Sequence, residues 1–362
     1  MPIYCAGMHG RIADHVLGRD AHYGFGRQAF REALARWHGP DAHAEFLART
    51  FEDTLAWNEA LDLDLVFVGG GRHAARPTRL IDEHTLLFGD ESASWYVMRF
   101  DPETELFQRV DGSPVTEQTL EDLDAIVDAA EREAEAYAPT PDDFPLQKYA
   151  VEHLGERREV FGAGIMVYVP RERAWLEAML LRPELVLRWT MALAKRAVKN
   201  ARVMAQMGLW VLFGGGDFAG KNGPLYSPAS FARCMSPAVR EISRGCDEAG
   251  VLHMFASDGD LWPVADELFG RCGVHGYHEI DRRAGMDLER LRDRFPELRL
   301  MGGIASETLH LGTPEEVRHE CLTALDVARR RGRVLVGVSN TVVAPTPFRN
   351  FDIMVETLHE YR

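Results

Sequence analysis

The sequence predicts an α/β fold: one closed (β/α)8 TIM barrel over residues 1–362, with an N-terminal helical extension (1–60) and a small inserted β-hairpin (91–112). Three observations carry that expectation. Short apolar strands alternate with amphipathic helices at least seven times, which implies parallel pairing through right-handed crossovers. No linker divides the chain into halves, so a closed ring accounts for the strands better than an open sheet. Several strands also end abruptly in small polar or acidic residues, as they do where a barrel carries its site at the carboxyl ends.

In chain order, DAHYGFGRQAFREALARWHG and DAHAEFLARTFEDTLAWNEA place apolar residues at helical spacing and form the extension. LDLDLVFVGGG (61–71) is the first strong strand, and its glycines allow a turn or the close approach of a ligand. ESASWYVMRFDPETELFQRVDG (91–112) alternates apolar residues on both sides of a DPET turn, the pattern of a hairpin. EDLDAIVDAAEREAEAYAP (121–139) is a solvated amphipathic helix. GAGIMVYVP is a strand, followed by two helices divided near Pro183 and by the strand LWVLFGGGD (209–217). The next helix opens with Ser227 as cap and Pro228 as first residue, and Pro237 breaks it. VLHMFASDGD (251–260) is a strand and a tight turn; GVHGYHEID, LRLMGGIA and RVLVGVSNTV are the later strands. In TPEE, Thr313 caps a helix, Pro314 takes its first position and Glu316 completes a capping box. NFDIMVETLHEYR is the terminal helix.

Composition bounds the function. With 46% hydrophobic and 27% charged residues, the chain can bury a large core. A net charge of −15 repels nucleic acid and anionic membranes at long range, so neither is an expected partner. No stretch approaches the roughly 18 apolar residues of a membrane helix. MPIYCAGMHGRIADH lacks the basic flank and apolar core of a signal peptide, so a cytoplasmic location is expected. Cys5, Cys234, Cys246, Cys272 and Cys321 are scattered without a CxxC pair; they read as reduced thiols, none of them at a strand end. The absence of GxSxG, P-loop, HExxH and GxGxxG patterns removes several enzyme classes.

The chemistry is expected at the strand ends. Asp258 and Asp260 flank Gly259; one of them suits a helix cap, which leaves the other free for reaction. Asp217 leads into FAGKNGPLYSP, where Lys221, Asn222 and Tyr226 are placed to reach a ligand; the plainer alternative is a glycine turn capped by Asp217. Alternation in GVHGYHEID puts His275, Tyr277, Glu279 and Asp281 on one face, with Glu279 as the barrel-facing acid, and Gly276, His278 and Ile280 on the other. His278 is then either an inert histidine hydrogen-bonded against a helix or a ligand. His253, early in its strand, reads as structural. Asn340 either points its amide into the mouth or satisfies loop backbone, and Arg349 either meets an anionic group or forms a surface ion pair. The expected catalytic residues are thus Asp258, Glu279 and Asp217, with Asn340, Tyr226, Lys221, Tyr277 and Arg349 on the substrate. Asp258, Glu279 and His278 are the candidate ligands should a metal bind. Several acids around one cavity push at least one pKa up and set a protonated donor beside an ionised base.

From about residue 217 to 362 the chain resembles the uroporphyrinogen decarboxylase superfamily, which includes corrinoid and coenzyme M methyltransferases. SPASF opening a helix, the strand ending SDGD, GYHEID before AGMDLERL, MGGI, LHLGTPEEV and the closing SN..V.PTPFRN occur in the family's order. The resemblance implies a single barrel with its pocket at the carboxyl end. True decarboxylases of the family carry an arginine-bearing loop near the N-terminus; GMHGRIADHVLGRD offers Arg11 and Arg19 but not that motif. The methyltransferases hold zinc through a His-x-Cys strand end and a later Cys, positions occupied here by Ala256, Asp258 and Asn340. The expected activity is methyl transfer from a small methylated substrate to a corrinoid (cobalamin) on a partner protein, with zinc a candidate cofactor and a homodimer a candidate assembly. The alternatives are a cofactor-free decarboxylase of a small carboxylic acid and a non-catalytic ligand-binding barrel.

Overall fold

A computed structural model describes residues 2–5, 7–68, 73, 75–114 and 117–362. Eight strands line the core: β1 (Ile3–Tyr4), β2 (Leu65–Phe67), β3 (Glu159–Ala163), β4 (Val211–Gly215), β5 (Leu252–Ala256), β6 (Gly276–His278), β7 (Arg299–Ile304) and β8 (Val334–Val338). They pair in parallel in the order β1-β8-β7-β6-β5-β4-β3-β2. The ring closes where the Asp64 amide donates to the Ile3 carbonyl at 3.1 Å, beside β1 and β2.

Alternation along each strand separates two cores. Tyr4, Leu65, Phe161, Val211, Met254 and Met301 fill the barrel interior, with Phe67 and Phe213 against them. Val66, Val160, Leu212, Phe255, Leu300 and Val336 point the other way and pack under the helices. Each large apolar side chain so buried contributes roughly 1.5–3 kcal/mol. The helical signals hold locally. Arg182 divides Arg173–Leu181 from Pro183–Gln206, Met235 divides Pro228–Cys234 from Ser236–Ala249, and Thr313 and Glu316 form the capping box. Among the described residues no helix is long and apolar enough to cross a membrane.

Four elements differ from expectation. β1 is unheralded, because a two-residue strand carries no pattern and takes its strand form from pairing with Val336 and Gly337. The helices read as an extension, Gly10–Leu17, Phe25–His38 and Pro40–Ala60, therefore form the crossover from β1 to β2. Within residues 61–71 only Leu65–Phe67 is strand, and the three glycines 69–71 lie outside the described residues.

The inserted hairpin, in turn, is half of a four-stranded antiparallel sheet: Trp95–Asp101 and Leu106–Gly112 are preceded by Arg79–Asp82 and Thr85–Gly89. Its apolar face packs on helix Phe25–His38, where Phe30 stacks on Phe100 at 4.6 Å. Its tip, Glu105, is buried at φ +53° and accepts from the Gly10 amide at 2.5 Å and meets His9 Nδ1 at 3.1 Å; Arg27 Nε lies 3.6 Å from its other oxygen. Gly26 permits this approach, since a Cβ there would stand 1.9 Å from the Glu105 carbonyl oxygen.

Candidate active site

The carboxyl ends of β4, β5 and β6 bring three acids together. One carboxylate oxygen from each of Asp217, Asp258 and Glu279 lies within 4.8 Å of the others. Asp217 stands two residues past β4 and is exposed; its Oδ1 accepts weakly from the Asp258 amide at 3.4 Å. Asp258 stands two residues past β5, half-buried, and its Oδ2 accepts from Asn340 Nδ2 at 2.7 Å. The Thr341 amide donates to Asn340 Oδ1 at 2.5 Å and so fixes which end of that amide faces the acid.

Of the two acids flanking Gly259, Asp260 takes the structural role. Its Oδ1 accepts from the Trp262 amide at 2.9 Å, opening the next helical turn, while its own amide donates to Gly220 O at 2.9 Å. Gly259 has φ +85°, and a Cβ there would lie 2.6 Å from the Ala219 backbone, so the loops after β4 and β5 touch only because it is glycine. Asp258 is thereby left to the mouth.

The predicted faces of β6 are reversed. Tyr277 points outward, 4.9 Å from the Phe269 ring beneath a helix, and its hydroxyl donates to the carbonyls of Ser257 and Glu279 at 3.2 Å. It ties two loops together and is not a substrate contact. His278 points inward, against Tyr4 at 5.7 Å and Phe213 at 5.3 Å, rather than against a helix. It is buried, and neither ring nitrogen has a partner among the described residues, so burial drives its pKa down to about 3. Glu279 reaches the mouth for another reason: at φ +71° it leaves strand geometry altogether and falls out of phase with Tyr277.

Burial is the main electrostatic influence on the acids. It pushes the Glu279 carboxyl up to about 8, with help from the charges of Asp258 and Asp217. It also raises Asp258, where the Asn340 hydrogen bond opposes it and the charges of Asp217 and Asp281 add to it. At neutral pH the mouth thus holds a protonated Glu279 beside other carboxyl groups, the combination general acid–base chemistry needs. The hydroxyl of Tyr4, donated to Val338 O at 2.8 Å, lies close enough to Glu279 for that charge to help hold its proton, after burial and Cys5.

The remaining expected residues are spread around the rim. Tyr226 stacks on Phe218 at 5.5 Å, and its buried hydroxyl has no partner among the described residues. Lys221 is exposed at the turn between Ala219–Gly220 and Gly223–Pro224. Arg349 is exposed in the first turn of helix Phe348–Tyr361 and forms no ion pair among the described residues. His253 is buried with Nδ1 2.9 Å from Ser243 Oγ, the structural role expected of it. One residue was missed: Arg171, past β3, donates from Nη2 to the Asp217 carbonyl at 2.7 Å. The signal available was an arginine closing the VYVPR run after a strand.

Cys5 corrects the expectation that no cysteine ends a strand, for it follows β1 directly. It packs in the outer core, and burial pushes its thiol up to about 12, so it supplies no thiolate to the mouth. The other four cysteines are also buried.

Comparison with known proteins agrees with the barrel fold. The family described as uroporphyrinogen decarboxylase (URO-D) matches residues 165–361. A methyltransferase from Methanosarcina mazei superposes with a TM-score of 0.60 at 16% identity, covering 98% of this chain and 99% of that one, a likeness of fold. A D-tagatose 3-epimerase-like protein is more distant, with a TM-score of 0.39 at 10% identity over 60% of this chain and 84% of that one. No curated protein matches the sequence. With the family match spanning more than half its length and the acids gathered at the barrel mouth, this chain belongs to the uroporphyrinogen decarboxylase family.

Proposed function

We propose that this chain is a methyltransferase that passes a methyl group from a small methylated substrate to a corrinoid carried by a partner protein. The observation that carries the reading is the meeting of Glu279, pushed up to about 8, with Asp258 and Asp217 at an open mouth. A methyl ether loses its methyl group when the acceptor's electron pair forms the new carbon bond and the carbon–oxygen pair moves onto the leaving oxygen. An alkoxide leaves poorly from such a bond, so a proton must arrive on that oxygen; Glu279 is the group that still holds one at neutral pH. Asp258, oriented by Asn340, is placed to relay the replacement proton. Met166, Tyr168, Leu225 and Val343 are exposed on loops past β3, β4 and β8, an apolar rim that suits the seating of a large flat acceptor.

Zinc held by thiolates does not fit these residues. Ala256 offers no donor, Asp258 offers a hard oxygen, and the Asn340 amide is committed to Asp258. An all-carboxylate set suits harder cations.

The proton donor also supports a second reading, decarboxylation of a small acid, in which Glu279 protonates the carbon left when carbon dioxide departs. The test is incubation with a cob(I)alamin carrier and a panel of methyl ethers and amines. Methylcobalamin formed by the wild type and lost in Glu279→Gln supports methyl transfer. No methylcobalamin, together with carbon dioxide release that survives chelators and needs Asp258, replaces it with the second reading.

A further inference from the structure

The loop past β3 runs beside β4, with the Val167 amide on Gly215 O at 3.0 Å, and is anchored where Trp189 Nε1 donates to Tyr168 O at 2.9 Å. This delivers the exposed Arg171 to the rim, where its single hydrogen bond among the described residues is to the Asp217 carbonyl, 2.7 Å away. Although the carboxylate of that same residue belongs to the acidic cluster, Arg171 makes no ion pair among the described residues. Asp217 turns its side chain toward the Asp258 amide instead. Among the described residues, four of the five guanidinium N–H groups are left uncommitted.

A planar cation with a free fork at the rim of an acidic mouth has one well-matched ligand, a carboxylate bound bidentately. A phosphate matches less well, because its second charge would face the acidic cluster with only one guanidinium to offset it. The protein's overall −15 does not prevent this, since charges beyond about 8 Å are screened at physiological salt.

We propose that Arg171 binds a carboxylate on the substrate, so that the methyl donor is a small methylated carboxylic acid. Only the word methylated rests on the reaction proposed above; the carboxylate site stands on its own geometry. Glu279, uncharged below about pH 8, does not oppose such an anion at neutral pH.

The experiment is calorimetric titration of the full chain with methoxyacetate and 4-methoxybenzoate, each against its neutral amide. At least one acid should bind the wild type tenfold or more tightly than its amide. Arg171→Gln should abolish that preference, and Arg171→Lys should keep part of it. Arg171 is exposed, so an unaltered melting temperature in Arg171→Gln separates lost binding from lost fold. If neither acid outbinds its amide, or the preference survives in Arg171→Gln, the assignment is wrong. Binding of acids that depends on Arg171 without methyl transfer keeps the site and removes the reaction.

Discussion

The side-chain amide of Asn340 donates to Asp258 Oδ2 at 2.7 Å, joining the loop past β8 to the loop past β5 across the barrel mouth. The bond favours the charged form of an acid that burial pushes the other way. Asn340→Leu should therefore move Asp258 further up and shift the acid limb of the pH–activity profile to higher pH. Hydrogen bonds to charged groups are worth about 1.5–3 kcal/mol, so the loss in kcat/KM should be about 10- to 100-fold. A profile that drops without shifting would mean that Asn340 only shapes the loop.

Glu279 makes both activity and stability depend on pH. Its ordinary value is 4.5 and its folded value about 8. Below 4.5 both folded and unfolded chains hold the proton; between the two values only the folded chain does. Stability therefore falls as pH rises through that window and levels off above about 8. Activity that needs the protonated form should fall over the upper part of the same range. Glu279→Gln should abolish turnover, flatten that part of the stability curve and melt higher than wild type at pH 9. Thermal denaturation at pH 6 and pH 9 checks this; parallel curves for the two proteins would refute the shifted titration.

How far the site was legible can be judged at these same residues. Asp217, Asp258 and Asn340 were readable because each closes an apolar strand, and in a barrel strand ends converge. Glu279 was placed correctly for a mistaken reason. Counting alternate faces back from it put Tyr277 in the mouth, whereas the left-handed φ of Glu279 breaks the count and sends Tyr277 outward and His278 inward. A backbone conformation of this kind leaves no trace in side-chain pattern. β1 was invisible for a related reason: its two residues become a strand by pairing with partners more than 300 positions away. Residues 79–89 were passed over because Arg79–Asp82 is mostly exposed and alternates too weakly to announce a strand.

Tyr277 should prove to be a positioning residue. Its hydroxyl holds the carbonyls of Ser257 and Glu279, 3.2 Å each, inside a buried seam. Tyr277→Phe removes one donor from two acceptors and should cost about 1–2 kcal/mol of stability. It should lower kcat by about 3- to 10-fold with little change in KM, because Glu279 would keep its carboxylate but lose its fixed place. The basic limb of the pH profile should move as well, which a purely structural loss would leave untouched.

The inserted sheet is attached to the barrel through Glu105, and that attachment should fail in acid. Burial alone would raise this carboxyl, but the hydrogen bond from His9 and the charge of Arg27 outweigh it and hold it below the usual range. A depressed carboxyl contributes stability that is present above its unfolded value and is lost as pH falls through the folded one. Glu105→Ala leaves the Gly10 amide unpaired and takes the acid from the buried His9, while Arg27 keeps its bidentate pair with Asp14, so the loss should be about 1–3 kcal/mol. Gly26→Ala attacks the same joint sterically, since its Cβ would press on the Glu105 carbonyl. Both variants should melt lower than wild type and be cleaved first within residues 79–112 in limited proteolysis. The acid-induced loss should vanish in Glu105→Ala but persist in Gly26→Ala, because only the first removes the titrating group. Cleavage elsewhere in both variants would mean that the sheet is held by its Phe30 and Phe100 face rather than by its tip.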